Sequence, residues 1–95
     1  NMEQTIDLVT LTTQHGVLTD IASEHCLTGA IRGMGLGHCP YLLVTWEAFG
    51  EAFEDNTDDS IKTRIAELDD CRYHTAQFTI DGETYDINAS EPKEG

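Results

Sequence analysis

Basic residues are scarce in this chain, which has 5 Lys and Arg against 18 Asp and Glu, a formal net charge of −13 over 95 residues. Binding to nucleic-acid phosphates or to an anionic membrane surface depends on Lys and Arg, so this balance argues against direct contact with either. No apolar run approaches the roughly 20 residues of a membrane span, and we expect no secretory leader. We therefore expect a soluble, cytoplasmic protein.

Cysteine and proline are also rare, with 3 and 2 residues. An odd number of widely spaced cysteines makes a poor disulfide framework and suits a reducing compartment. Few prolines, together with 39% hydrophobic residues, argue against disorder despite the net charge. The length suits one small domain, which we place at residues 1–89, with residues 90–95 as a frayed tail.

The first third of the chain predicts a strand followed by a helix. Residues 5–12 are rich in β-branched side chains, as in a strand, and His15-Gly16 is an expected break. Thr19 offers an N-cap for a helix that reaches about Ile31, with acids in its first turn. The glycine-rich run 33–37 would end this helix as a flexible loop, because its spacing and position do not fit a nucleotide-binding fingerprint.

Residues 40–54 have two interpretations. In one, Pro40 begins a helix that has an apolar stripe on one face. In the other, residues 41–45 form a strand and the helix begins near Trp46. The stripe consists of Leu42, Trp46, Phe49 and Phe53. Both interpretations leave Glu47, Glu51 and Glu54 exposed.

Residues 55–70 predict a turn and a further helix. The turn is 55–59, and Ile61, Ile65 and Leu68 would mark the buried face of the helix. Asp69 and Asp70 would end it, although acids at a helix C-terminus oppose the helix dipole. No neighbouring residue offsets this unfavourable interaction with the helix dipole, which indicates a functional reason for the two acids.

Asp81-Gly82 predicts a two-residue β-hairpin loop between strands at 73–80 and 83–88. This register pairs Ile80 with Glu83, Phe78 with Tyr85, and Ala76 with Ile87. The chain is thus predicted to be an α+β domain, in which the N-terminal strand and the C-terminal hairpin form a small antiparallel sheet with two or three helices on one face. The expected core is Trp46, Phe49, Phe53, Ile61, Ile65, Phe78 and Tyr85.

The negative charge is concentrated in the second half of the chain. Between Glu47 and Asp70 there are nine acids and two bases, Lys62 and Arg64. Residues four apart on a helix lie about 6 Å apart along its axis, close to the spacing of phosphates on a nucleic-acid strand. A basic groove that binds phosphates would accept such rows of carboxylates. The predicted partner-binding residues are Glu47, Glu51, Glu54, Asp55, Asp58, Asp59, Glu67, Asp69 and Asp70.

Other interpretations of the same residues stay open. An acidic face also keeps small proteins soluble, serves plain protein-interaction modules, and accompanies halophilic adaptation. A metal- or thiol-dependent protein could use Cys26, Cys39, Cys71 and His74, with Cys71 and His74 nearest to chelate spacing and Cys39 placed before a possible helix start. No known catalytic motif surrounds them, so we expect neither an enzyme nor a cofactor. The exposed side of a three-stranded sheet would let two chains pair.

In size, acidity and lack of a catalytic motif, the chain resembles the small inhibitors encoded by phages and mobile elements, such as anti-CRISPR and DNA-mimic proteins. The resemblance is one of general character over the whole chain and rests on no shared motif. It implies a non-enzymatic inhibitor that occupies a basic nucleic-acid-binding site of a host defence complex, in CRISPR or restriction. The alternative is an acidic protein-interaction module without mimicry.

Overall fold

Residues 5–93 are described by a computed structural model. In chain order they form helix α1 (Leu8–Glu24), strands β1 (Ile31–Gly35) and β2 (Tyr41–Val44), helix α2 (Trp46–Phe53), and strands β3 (Lys62–Glu67), β4 (Cys71–Ile80) and β5 (Glu83–Pro92). One five-stranded sheet has the order β1-β2-β5-β4-β3. Only β2 and β5 run parallel within this part of the chain. The α+β class is confirmed, but the sheet is larger than predicted and is mixed.

The predicted N-terminal strand is wrong, because residues 8–12 begin α1. The Asp7 carboxylate accepts a hydrogen bond of 2.8 Å from the backbone N–H of Thr10 and caps the helix. This bond lowers the pKa of Asp7. The β-branched threonines are accommodated because their hydroxyls donate to carbonyls four residues earlier. These threonines are Thr12, Thr13 and Thr19.

Tertiary packing determines that the α1 segment is a helix rather than a strand, and it determines the length of the helix. Leu18, Ile21 and Ala22 are buried at helical spacing, and this outweighs the strand preference of the preceding residues. The predicted break at His15-Gly16 and the predicted cap at Thr19 both lie inside the helix and are wrong. Residue 5 lies before the helix without regular structure.

α1 ends at Glu24 rather than at Ile31. Cys26 has a φ of 60°, and the N–H of Leu27 donates to the carbonyl of Ala22 at 2.8 Å, which is a Schellman-type helix end. The chain then enters β1, so the glycine-rich run lies in a strand and the turn after it, not in a helix exit.

Two contacts explain the glycines of this run. The ring of Tyr41 on β2 covers the face of Gly35 where a Cβ would lie. Gly37 has a φ of 121°, and its N–H and carbonyl both bond the side-chain amide of buried Gln14 at 2.8 Å. Gln14 therefore ties α1 to the turn between β1 and β2.

The second interpretation of residues 40–54 is confirmed. Residues 41–44 form β2, and Thr45 caps α2 by accepting from the N–H of Ala48 at 3.3 Å. The carbonyl of Pro40 accepts from the N–H of Asp86 at 3.1 Å. Pro40 therefore precedes a strand and does not begin a helix.

The helix predicted to follow the turn at residues 55–59 is wrong, because residues 62–67 form β3 and pair with β4. Ile61 is buried as predicted, but Ile65 and Leu68 are 58% and 49% exposed. Asp69 and Asp70 form the two-residue loop of the β3–β4 hairpin, where the N–H of Leu68 donates to the carbonyl of Cys71 at 2.9 Å. Aspartate is favoured in turns, so these acids break no local rule.

The C-terminal hairpin is confirmed together with its register. Asp81 and Gly82 have φ of 52° and 80°, as a type I′ turn requires. Ile80 faces Glu83, Phe78 faces Tyr85, and Ala76 faces Ile87. Both strands are longer than predicted. Residues 90–92, expected in the tail, belong to β5, and residues 94–95 lie outside the described part of the chain.

Both helices cover the same face of the sheet. The buried side chains of α1 and α2 form one cluster with those of β2, β4 and β5 that point to that face. Of the expected core, Trp46 and Phe78 are half-buried and Ile65 is exposed. Neither helix of the described residues is long and apolar enough to cross a membrane. The buried apolar residues are Leu18, Ile21, Ala22, Leu27, Leu42, Val44, Phe49, Phe53, Ile61, Ala76, Tyr85, Ile87 and Ala89.

Two glycine-to-alanine substitutions should change stability in opposite directions. Gly16 lies inside α1 with nothing within 4 Å of an added Cβ, so Gly16→Ala should stabilise the fold by about 0.5–1 kcal/mol. Gly35→Ala should destabilise it by about 1–3 kcal/mol, because the new methyl group meets the Tyr41 ring. Urea unfolding followed by circular dichroism measures both. Loss of stability in Gly16→Ala would contradict the extent of α1.

Candidate binding groove between α2 and β3

An open groove runs between α2 and β3 because the helix is too narrow to cover the whole sheet. α2 packs against β5, and β3 lies two strands further along, about 10 Å away at the usual strand spacing. A helix with its side chains is only about 10–12 Å wide. The residues of β3 that point to the α2 face are therefore exposed, as are the other three residues of the strand, and the groove has a volume of about 680 Å³.

Aromatic side chains form the floor of the groove. The rings of Trp46 and His74 have centroids 4.4 Å apart, and Phe49 lies 6.1 Å from Trp46 and 5.8 Å from His74. Phe53 packs against Phe49 at 4.9 Å. His74 Nε2 lies 2.9 Å from Glu91 Oε1, which fixes the imidazole. The half-buried rings of Trp46 and His74, together with exposed Ile65 of β3, form the apolar surface that contacts solvent, and buried Phe49 and Phe53 also line the groove.

Three of the nine predicted partner-binding acids line this groove, namely Glu47, Glu51 and Glu54. All three are exposed, and within residues 5–93 none of them belongs to an ion pair. Their carboxylates therefore face solvent beside an apolar floor. The result is a groove with a negatively charged rim on its α2 side.

Acidic residues oppose the helix dipole at the C-terminal end of α2. The sequence predicted this unfavourable arrangement for Asp69 and Asp70 instead. The helix ends at Phe53 with Glu54 as its C-cap, and its last turn holds no basic residue. Glu51, Glu54 and Asp55 thus place negative charge where the helix dipole is already negative. Glu47, in the first turn, suits the dipole. Two of the three unfavourable acids, Glu51 and Glu54, line the groove.

The other predicted acids lie elsewhere and some have structural roles. Asp58 accepts from the N–H and the hydroxyl of Ser60, and these bonds lower the pKa of Asp58. Glu67 bonds Lys93 at 3.1 Å and Arg72 at 3.0 Å, and its pKa is lowered chiefly by Lys93 and then by Arg72. All nine acids are exposed, but they occupy three places in the fold. These are α2 and its end (47–55), the following loop (58 and 59), and the β3–β4 hairpin (67, 69 and 70).

In the described part of the chain, the candidate metal ligands Cys71 and His74 are not brought together. Cys71 and His74 are three residues apart on β4, so their side chains point to opposite faces of the sheet. Cys39 precedes β2 rather than a helix, which removes the reason for expecting an activated thiol there. Within residues 5–93 no three of the His, Cys, Asp and Glu side chains are grouped to hold a metal ion.

The sequence identified the rim of the groove but not its floor. Trp46 and Ile65 were assigned to the closed core, because β3 was taken for a helix that would help to bury them, whereas Phe49 is buried as predicted. The alternation of Thr63 and Ile65 with Lys62 and Arg64 is a period-two signal that could have revealed the strand.

Comparisons of the chain with protein-family models, with curated protein sequences and with solved structures find no match. The geometry and chemistry of the groove therefore carry the functional argument alone.

Replacing Glu67 should reveal its ion pairs through their pH dependence. A carboxyl group whose pKa is lowered by folding stabilises the protein above its unfolded pKa, and this contribution is lost as the pH falls through the folded pKa. Glu67→Gln should therefore lower the melting temperature near pH 7 and have little effect near pH 3. Glu83→Gln, at an exposed position on β5, is the matched control. Equal effects of Glu67→Gln at both pH values would contradict these ion pairs.

Proposed function

We propose that this protein is a non-enzymatic binding protein whose groove holds a basic segment of a partner protein. The observation that carries the proposal is the combination of an ordered apolar floor with a rim of three glutamates. An apolar floor favours a partner with aliphatic or aromatic side chains, and the rim favours Lys and Arg beside them. Nucleic acid itself is repelled by the same rim, so the partner is a protein.

The unfavourable acids at the end of α2 support this function. A sequence that places Glu51 and Glu54 against the helix dipole accepts a stability cost. Binding sites are where such local costs are expected, because the interaction with a partner compensates them. The charge also favours fast, salt-sensitive association with a basic surface.

A nucleic-acid mimic that occupies a basic nucleic-acid-binding site of a host defence complex, in CRISPR or restriction, is the second candidate. The exposure of all nine predicted acids over three places supports it. A wide acidic surface would engage a broad basic groove, and the apolar floor would then contribute little. The two functions differ in which acids matter and in whether nucleic acid competes.

Removing the rim charges should weaken binding of a basic amphipathic peptide. We expect the triple variant Glu47→Gln, Glu51→Gln, Glu54→Gln to lose tenfold or more in affinity for a synthetic peptide that is rich in Lys and Leu, measured by fluorescence anisotropy. The matched control, Asp20→Asn, Asp81→Asn, Glu83→Gln, removes the same charge at exposed positions outside the groove.

Equal losses in the two triple variants would show that overall charge, not the groove, drives binding. Ile65→Ala should weaken binding severalfold without loss of folding, since this side chain is 58% exposed. Once a natural partner is known, displacement by that partner's own DNA or RNA would favour the mimic.

Glu54→Gln should have opposite effects on stability and on binding. Removal of a negative charge at the helix C-terminus should raise stability by a few tenths of a kcal/mol, while affinity for the Lys–Leu peptide falls. Thermal unfolding and anisotropy titration of the same sample measure the two. Glu47→Gln is the control, because loss of an acid from the first turn should lower stability. A lower stability of Glu54→Gln would contradict the dipole argument.

A further inference from the structure

The outer edge of β3 presents backbone groups that the sheet does not use. In an antiparallel pair, residues alternate between those bonded to the partner strand and those whose N–H and C=O point away from it. Leu68 bonds Cys71 across the hairpin loop, and the register runs without a shift from Glu67 back to Lys62. Lys62, Arg64 and Ala66 therefore bond β4. Thr63, Ile65 and Glu67 direct their N–H and C=O groups outward.

This edge coincides with the groove. The side chains of Thr63, Ile65 and Glu67 point to the face that α2 covers, because they lie opposite Ala76, His74 and Arg72. No strand lies beyond β3 in the described part of the sheet, and neither a proline nor a bulge interrupts residues 62–67. Such an edge is a template for an added strand.

The two faces of the edge carry opposite charges. Glu47, Glu51 and Glu54 line the groove side. Arg64 also contributes to the groove lining, but the side chains of Lys62 and Arg64 point to the other face, where Arg64 lies 3.9 Å from Asp86. If a strand were added along β3, every second side chain of that strand would contact the acidic and apolar groove side. The side chains between them would contact the basic side.

Resting on the function proposed above, we propose that the partner segment binds in extended form as an additional strand along β3. Its alternate side chains, apolar and basic, enter the groove, and the side chains between them are polar or acidic. A strand lies about 4.8 Å from β3 and bonds its outward groups. A bound helix would leave those groups without protein partners. A second copy of this chain would bring another net charge of −13 to the same rim.

Hydrogen exchange of the β3 amides tests the binding mode. The probe is an acetylated, amidated peptide with the sequence Thr-Lys-Thr-Ile-Thr-Leu-Thr-Ile-Thr-Lys-Thr. On saturation with it, the amides of Thr63, Ile65 and Glu67 should exchange tenfold or more slowly. The amides of Lys62, Arg64 and Ala66, already bonded to β4, should change much less and provide the internal control.

N-methylation of the peptide backbone is a second test of the binding mode. In antiparallel addition, the residues that enter the groove also bond β3, so N-methylation of the Lys, Ile and Leu residues should lower affinity tenfold or more. N-methylation of the threonines should leave affinity nearly unchanged. The reverse preference would indicate a parallel strand and still support strand addition.

The remaining outcomes overturn the inference in distinguishable ways. The peptide could bind without slowing hydrogen exchange at alternate β3 amides and without sensitivity to N-methylation. This result would overturn strand addition and leave the proposed function standing. No binding of the unmodified peptide would overturn both. A dimer by sedimentation, with slow exchange of Thr63, Ile65 and Glu67 in the protein alone, would assign the edge to a second copy and overturn the proposed occupant.

Discussion

The parallel pairing of β2 with β5 is the interaction on which the architecture depends. It joins the β1–β2 hairpin to the β3–β4–β5 meander and makes one sheet from two separate pieces of chain. The connection from β2 passes through α2, which packs back onto β5 and buries Phe49 and Phe53 there. Because the connection places its helix over the sheet centre, the outermost strand on that side is left without cover.

The groove is a consequence of this placement rather than of any special motif. A short helix over β5 protects β4 in part and β3 not at all, so Trp46 and His74 are only half-buried and line a surface. The glutamates of α2 then lie where apolar surface meets solvent. Apolar contact and charge are available together at this place, which is why a basic segment with apolar residues fits it better than a purely polar partner does.

Sequence patterns predicted the structure where local rules dominate and failed where tertiary packing decides. The Asp81-Gly82 hairpin was correct to the register, because a two-residue turn and cross-strand pairing fix each other. The start of α1 was mistaken for a strand because it is rich in β-branched side chains, whereas burial of Leu18 and Ile21 against the sheet favours the helix. β3 was mistaken for a helix because Ile61, Ile65 and Leu68 have the spacing of four and three residues that is typical of one helix face. The rim acids could be identified from the sequence, but the groove beside them required the position of α2.

The central position of β5 also determines when the sheet can form. It pairs with β2 on one side and β4 on the other, yet it is the last element along the described chain. During synthesis the two hairpins can form locally, but they have no common strand to join them until residues 83–92 have emerged. The contacts between β2 and β5 span more than 40 residues, and such long-range pairing slows folding. The complete sheet therefore cannot form before residues 83–92 have been synthesised.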